Sequence, residues 1–497
     1  MEVAALLFGV TVFILTLLYL EYLRLQNYWL DRNVLCEQPH PVMGSLTFLS
    51  KINPGTWMRK MYSEYKSSYL GIWLFWRPAL IVNSPEIARK ILSTDSSVFK
   101  DRFASCSSND HIGKLSLFNA KEPEWGNLRR RLTVPLSEVR LRAMDDFVLS
   151  KAKELQQRIK KEQDNPVDIT ELYADFATDI IGTTTLGVPC NATLTGQNPL
   201  RSINKNFGDF SSWGGLPWCC IFFFPKLANI FGSKLFSKSA TDYVRKIIKP
   251  VIAEREANNE HTKGKDLLDA LVKIKNNNEV KDPAYLENLV VASAATFLSG
   301  IITSGSILAH ATYELAHHPE LQEKLFQELL GAKQKYGNEN FNSESLSQLT
   351  YLNCIIKEAL RKYPTVSWLD RVASVDYKID DDLTIQAGTP VYINGIGMHF
   401  DKHYFPDPNK FDPNRFLPEN EAKIVPYSYL PFGEGLRMCI GSKFAMTIVR
   451  NALASVFLNY KVEPVSGAPK PQDIEIAAST IFYVPSRPLQ VKFISRT

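Results

Sequence analysis

Cysteine is scarce in this chain. There are seven in 497 residues, at Cys36, Cys106, Cys190, Cys219, Cys220, Cys354 and Cys439. None forms a CxxC pair or a Cys/His spacing suited to zinc, which argues against a disulfide framework and a structural zinc site. An excess of one charge is lacking too. The 57 basic and 52 acidic residues leave a net charge of +5, with no long basic block, so the balance points away from nucleic acid. No internal repeat or low-complexity tract occurs. Only one long uncharged apolar run is read, at the start. Apolar material itself is ample: 45% of residues are hydrophobic, enough for a large core, which argues against disorder.

That run, Val3 to Leu20, can just cross a bilayer core at helical rise. Arg24 and Arg32 follow it, which favours a cytoplasmic body and a luminal N-terminus. A cleaved signal peptide would show a basic start and a small-residue cleavage site, and neither is present. The expected layout is a membrane anchor at 1–24, a hinge at 25–45 stiffened by Gln38-Pro39-His40-Pro41, and one large body at 46–497. The sequon Asn191-Ala192-Thr193 is read as chance.

Within the body, Leu70 to Val82 predicts a strand pair, and Ser84-Pro85-Glu86 predicts a helix start. Apolar spacing from about Pro123 to Leu360 predicts mostly helices, including a long one over Tyr285 to Leu315. Trp213 to Phe236 is an aromatic stretch broken by Gly and Pro. It reads equally as a buried connector or as a shallow membrane contact near a substrate entrance. Thr365 to Ile396 predicts a small sheet. Asp401 to Gly441, rich in Pro, Asn, Asp and Gly, predicts a long functional loop. The class is mainly α with a small β portion.

The most specific signal is Phe432-Gly433-Glu434-Gly435-Leu436-Arg437-Met438-Cys439-Ile440-Gly441, followed by a helical pattern from Ser442 to Leu458. A thiolate that ligates iron needs backbone N–H groups close to its sulfur, and glycines permit that approach. A helix starting just after the cysteine aims its positive end at the thiolate. Phe432 can cover the sulfur, and Arg437 can pair with a haem carboxylate.

This loop resembles the haem-binding loop of the cytochrome P450 family, and the likeness extends over nearly the whole chain, most closely to insect microsomal members of the drug- and toxin-metabolising branch. The resemblance implies a P450 fold behind an N-terminal transmembrane helix, a haem-thiolate catalytic domain over 46–497, and haem b (iron protoporphyrin IX) on Cys439. Leu436 departs from the pattern, where proline is common. Lys357-Glu358-Ala359-Leu360-Arg361 would alone read as a surface ion pair. The resemblance makes Glu358 and Arg361 a buried pair locked to Arg415, serving folding and haem retention. It also makes Trp125, Arg129, Arg371 and Arg102 candidate contacts to haem carboxylates beside Arg437; arginine suits such groups because its fork binds them bidentately. Arg130, Arg131 and Lys443 would face an acidic flavin-containing NADPH reductase, with cytochrome b5 as a further donor.

On the long helix, Ser299-Gly300-Ile301-Ile302-Thr303-Ser304 resembles the family's oxygen-activation segment. Thr303 matches the hydroxyl residue that assists proton delivery, and Gly300 the residue that opens a groove for oxygen. Ile302 stands where a carboxylate is usual. Phe103 to Phe118, Ala294 to Ser299, Thr365 to Leu369 and Ala478 to Phe482 would face a small or medium lipophilic substrate. The resemblance thus implies a monooxygenase of the endoplasmic reticulum membrane, single-pass, with its body in the cytoplasm. A haem-thiolate dehydratase or isomerase, acting for example on aldoximes, is the alternative that Ile302 raises, and a non-catalytic haem binder is a third reading.

Overall fold

The computed structural model describes residues 2–49, 51–162, 165–197, 200, 216–257, 268–269, 272 and 282–496. The apolar run forms helix α1, Glu2–Asn27, whose large hydrophobic side chains are exposed. A surface of this length and apolarity is consistent with a membrane anchor. The expected hinge is instead a strap packed on the body. Trp29 is fully buried against Gly71, where a Cβ would sit 2.4 Å from the indole, and its Nε1 donates to the Ile72 carbonyl at 3.1 Å. Trp73 Nε1 donates back to the Leu25 carbonyl at 3.0 Å.

Strands β1, Tyr69–Leu74, and β2, Arg77–Val82, pair antiparallel, with Pro78 opposite Trp73. The sheet is completed by β3, Leu369–Val372, and β4, Pro390–Ile393, in the order β1-β2-β4-β3; β4 runs parallel to β2. Ser84 caps the helix Pro85–Arg89, accepting from the Ile87 N–H, as the sequence predicts.

Helices fill the rest. Those that build the site are α2, Glu124–Thr133; α3, Ile169–Leu186; α4, Leu216–Phe223; α5, Pro283–His317; α6, Thr350–Lys362; and α7, Ser442–Asn459. Asp282 caps α5 through the Ala284 N–H with Pro283 in its first turn, which sets where the helix begins. Against the expectation of a single such run, α5 is also long and apolar enough to span a bilayer. Most of it is buried in the body, where α3 and α7 pack on it, so its apolarity serves the core.

The aromatic stretch resolves toward the connector reading. Trp213 lies outside the described residues, but Trp218, Ile221, Phe222 and Phe223 are buried in a second core with Phe48, Trp57 and Phe103. Ile230 and Phe231, later in the same stretch, are exposed, at 74% and 60%. The 401–441 segment is irregular, with only short helical turns at Pro413–Phe416 and Pro418–Glu421.

Candidate active site

The cysteine loop is shaped by two glycines. Gly433 and Gly435 have φ of 71° and 74°, a region that side chains strain to enter. At Gly435 a Cβ would also lie 1.8 Å from the Leu92 carbonyl oxygen, so no other residue fits without moving the backbone. The loop closes where the Cys439 N–H donates to the Phe432 carbonyl at 2.8 Å. Leu436, in the place where proline is common, is half-exposed and carries none of these bonds, so its departure costs the loop little.

Beyond the loop lies a cavity of about 310 Å³. Cys439 opens onto it, which is why this deeply placed residue is solvent-accessible by area. Burial pushes its thiol up. The Gly441 backbone N–H and the charges of Arg129 and Arg102 oppose that shift and favour the thiolate.

Arg102, Trp125, Arg129, Phe432 and Arg437 all line the cavity. Arg129 Nη1 donates to the Met438 carbonyl at 2.8 Å, tying α2 to the cysteine loop. The Arg437 guanidinium lies 4.4 Å from the Trp125 ring centroid. It donates to the Lys100 carbonyl at 2.6 Å, to Asp101 at 2.8 Å and to the Ala120 carbonyl at 3.0 Å. Burial lowers it to about 10. Its Nη1 is buried without a hydrogen-bond partner among the described residues.

Arg371 differs from the expectation: it does not line the cavity. It is buried behind the wall, its Nη1 on the Asp370 carbonyl at 2.8 Å, and desolvation pushes it down to about 9.

Three groups were missed by the sequence reading. Asp370 pairs with Arg102 at 3.1 Å and accepts from the Ala104 N–H; Asp101 holds Arg437; and Lys121 donates to the carbonyls of Arg102 and Ala104. Desolvation lowers Lys121 to about 8. The dipeptides Asp101-Arg102 and Asp370-Arg371 are the signal that could have found the two carboxylates.

The triad comes together. Arg361 makes a bidentate pair with Glu358, 2.7 and 2.8 Å, with both side chains fully buried. Arg415 Nε approaches Glu358 at 3.4 Å, and the Asp412 N–H donates to Glu358 at 2.9 Å. The triad reaches the cavity through one histidine. The Leu430 N–H donates to His399 Nε2 at 2.9 Å, and Leu430 lines the cavity. His399 Nδ1 therefore carries the proton and donates to the Arg361 carbonyl. Burial and the adjacent Arg361 lower His399 to about 3, so it stays neutral.

On α5, Thr296, Phe297, Ser299, Gly300, Thr303 and Ser304 line the cavity. Gly300 sits close to α3, where a Cβ would be 3.2 Å from Ile181 Cδ1. The Thr303 hydroxyl donates to the Gly300 carbonyl at 3.2 Å, which leaves its lone pairs for a donor in the cavity. Ile302 is not on the cavity wall. It packs against the second, aromatic core.

Of the expected substrate-facing segments, Leu117, Phe118, Thr365, Val366 and Leu369 line the cavity with the α5 residues. The 478–482 segment does not; Ile481 and Phe482 are buried in the aromatic core instead. On the surface near the loop, Arg130 is exposed, and Lys443 pairs with Glu138.

The donor set suits an iron porphyrin dicarboxylate. One thiol faces the cavity, guanidinium groups border it with one nitrogen unpartnered, and the remaining walls are apolar. Comparison with known proteins agrees. The cytochrome P450 family profile matches residues 35–493. Cytochrome P450 6k1 of Blattella germanica is 31% identical over 494 residues, 95% of this chain and 94% of that one. Cytochrome P450 6j1 of the same insect is 31% identical over 453 residues, 90% and 89% of the two chains. Cytochrome P450 6a2 of Drosophila melanogaster is 30% identical over 465 residues, 90% and 91%.

Proposed function

The chain belongs to the cytochrome P450 family as a haem-thiolate monooxygenase, and from that premise we propose that it oxidises a small or medium lipophilic substrate with O2 and NADPH-derived electrons from a flavoprotein reductase. The observation that carries this reading is one cavity lined by Cys439 and by Gly300 and Thr303 of α5. Haem, when bound, supplies the reductive activation of O2 and the transfer of one oxygen atom to substrate.

The chain's own residues do the rest. Cys439 would supply the thiolate that holds the iron; burial pushes its thiol up, and the Gly441 N–H with the charges of Arg129 and Arg102 works against that shift. Arg102, Arg129 and Arg437, with Trp125, would hold the haem carboxylates, while Asp370 positions Arg102 and Asp101 positions Arg437; Arg371 lies behind this wall. The Glu358–Arg361–Arg415 triad holds the long loop against α6 and, through His399, the backbone at Leu430. Ile181, Phe297 and Val366 offer apolar contact to a lipophilic substrate and exclude water. Thr303 holds a hydrogen-bonding hydroxyl where protons are consumed.

The exposed apolar surface of α1 supports anchorage in the endoplasmic reticulum membrane with the body in the cytoplasm, and the 1–24, 25–45 and 46–497 division follows the same reading. Arg130, Arg131 and Lys443 are the candidate surface for an acidic reductase or for cytochrome b5. The dehydratase or isomerase alternative rested on Ile302, and that side chain is turned away from the cavity.

The test is product analysis by mass spectrometry over a panel of lipophilic compounds, with reductase-reconstituted protein and isotopically labelled O2. Oxygenated product carrying the label is expected, and none without oxygen. Substantial product formed anaerobically would overturn the reading.

A further inference from the structure

Two stretches far in sequence from the cysteine loop meet behind the cavity wall at Arg102 and Arg437. Residues 100–104 and 120–122 are fastened together by side chains from three directions. Lys121 Nζ donates to the Arg102 carbonyl and, at 2.8 Å, to the Ala104 carbonyl. The Glu122 N–H donates to Asp101 Oδ1 at 3.1 Å. Arg437 spans both stretches, with bonds to the Lys100 carbonyl at 2.6 Å and the Ala120 carbonyl at 3.0 Å. From the far side, Asp370 of β3 accepts from Arg102 Nη1 and from the Ala104 N–H, each at 3.1 Å. The backbone from Arg102 to Ala104 is therefore gripped between Lys121 and Asp370. Of all these groups, only Arg102 and Arg437 reach the cavity.

The charges behind that wall do not balance. Arg102, Arg371, Arg437 and Lys121 act on one another and on two carboxylates, Asp101 and Asp370. Glu122, half-buried at the edge, adds the smallest of the contributions at Arg437. Arg129 stands apart, on the thiolate side, where Cys439 is its charge partner. The three arginines over the two carboxylates leave an excess of one positive charge. Lys121 makes the excess two, which is the charge that a porphyrin dicarboxylate brings with opposite sign. Buried charge without a partner is costly, so a group that carries two carboxylates to this wall relieves the excess. Burial holds Lys121 down at about 8; Asp370 and Asp101 work against that shift, and Arg437 and Arg102 add to it.

We propose that Lys121 is a positioning residue of the haem-carboxylate site: it fixes the backbone that carries Arg102, and its charge completes the positive excess that the two haem carboxylates neutralise. This rests on the haem-thiolate reading and is independent of the substrate and of the reaction. Lys121 does not line the cavity, so it acts through Arg102 and through the field that it adds. Carboxylates brought to the wall raise Lys121 from about 8, so haem is taken up together with a proton at higher pH. The sign follows: the hold on haem is full below about 8 and weakens as pH rises beyond it.

Haem retention by the full-length holoprotein tests this without any turnover. The protein is loaded with haem b or with its dimethyl ester, which lacks both carboxylate charges, and the partition of each to a haem-binding scavenger protein is followed by absorbance. Lys121→Met is expected to weaken the hold on haem b about tenfold, the scale of one hydrogen-bonded charge, and to leave the hold on the ester unchanged. Lys121→Arg keeps the charge and the donors and is expected to stay within about twofold of the wild type near neutral pH. Because arginine keeps its proton, the wild type's hold on haem b relative to that of Lys121→Arg is expected to fall about tenfold from about pH 7 to about pH 9. Equal weakening of both porphyrins by Lys121→Met marks a merely structural role and overturns the proposal. So does a wild type that tracks Lys121→Arg across that pH range, and this comparison decides alone if Lys121→Met yields no soluble protein. A wild type that holds neither porphyrin overturns the haem-thiolate reading itself, an outcome distinct from the other two.

Discussion

On the Cys439 side of the cavity, the polar groups are densely partnered. Arg437 has three acceptors, Arg361 has a carboxylate and several carbonyls, and His399 links the triad to Leu430. On the α5 side, the hydroxyls of Thr296, Ser299 and Thr303 mostly bond back to their own helix, and the walls are apolar. The first region is held by many directional bonds and resists change. The second is held by packing and keeps its polar groups available to whatever enters. A ligand that is never released can be gripped by a rigid network, whereas substrate and oxygen must come and go.

The sharpest break of this contrast is Cys439→Ser. It is expected to abolish the red-shifted Soret band that carbon monoxide gives with reduced thiolate-ligated haem; an unchanged spectrum would place the ligand elsewhere. Next comes Arg361→Ala, which strips the buried Glu358 of its bidentate partner and leaves it only Arg415 at 3.4 Å and the Asp412 N–H, at a cost of about 3 kcal/mol. Little holoprotein and a large drop in thermal midpoint are expected on purification, while normal haem content would show that the pair contributes little. A smaller effect is expected at Gly435→Ala. The positive φ alone costs about 1–2 kcal/mol, and the clash with Leu92 adds to it. Denaturant unfolding checks the loss, and a stability equal to wild type would mean that the loop relaxes freely. The mildest concerns the other wall. Ile302→Glu places a carboxylate against the aromatic core and is expected to cost about 1–2 kcal/mol without improving the coupling of NADPH use to product. Better coupling would show that the side chain can reach the cavity after all.

Legibility followed the range of the interaction. The cysteine loop, the cap at Ser84 and the long helix α5 were readable because each depends on residues close in sequence: a glycine where φ is positive, a serine before a proline, an apolar spacing repeated over many turns. Arg371, a candidate by resemblance, lies off the cavity lining, and a position in a motif says nothing about which way a guanidinium turns. Ile302, which stands where a carboxylate is usual, neighbours Thr303 in sequence but not on the cavity wall. One residue along a helix is a rotation of about 100°, and that carries the side chain to a different core.

By itself the sequence marked the cysteine loop around Cys439, the apolar N-terminal helix, the helical class and the placing of Glu358 and Arg361 on one helix face, because short-range geometry and strong local patterns decide those. Only the tertiary structure decided that Asp370 and Asp101 hold the arginines, that residues 25–45 are packed on β1, and that Lys121 reaches the carbonyls of Arg102 and Ala104. Those arrangements join segments as much as 336 residues apart, as Asp101 and Arg437 are. Burial makes a polar group take whichever partner the fold brings near, and no local pattern records that choice.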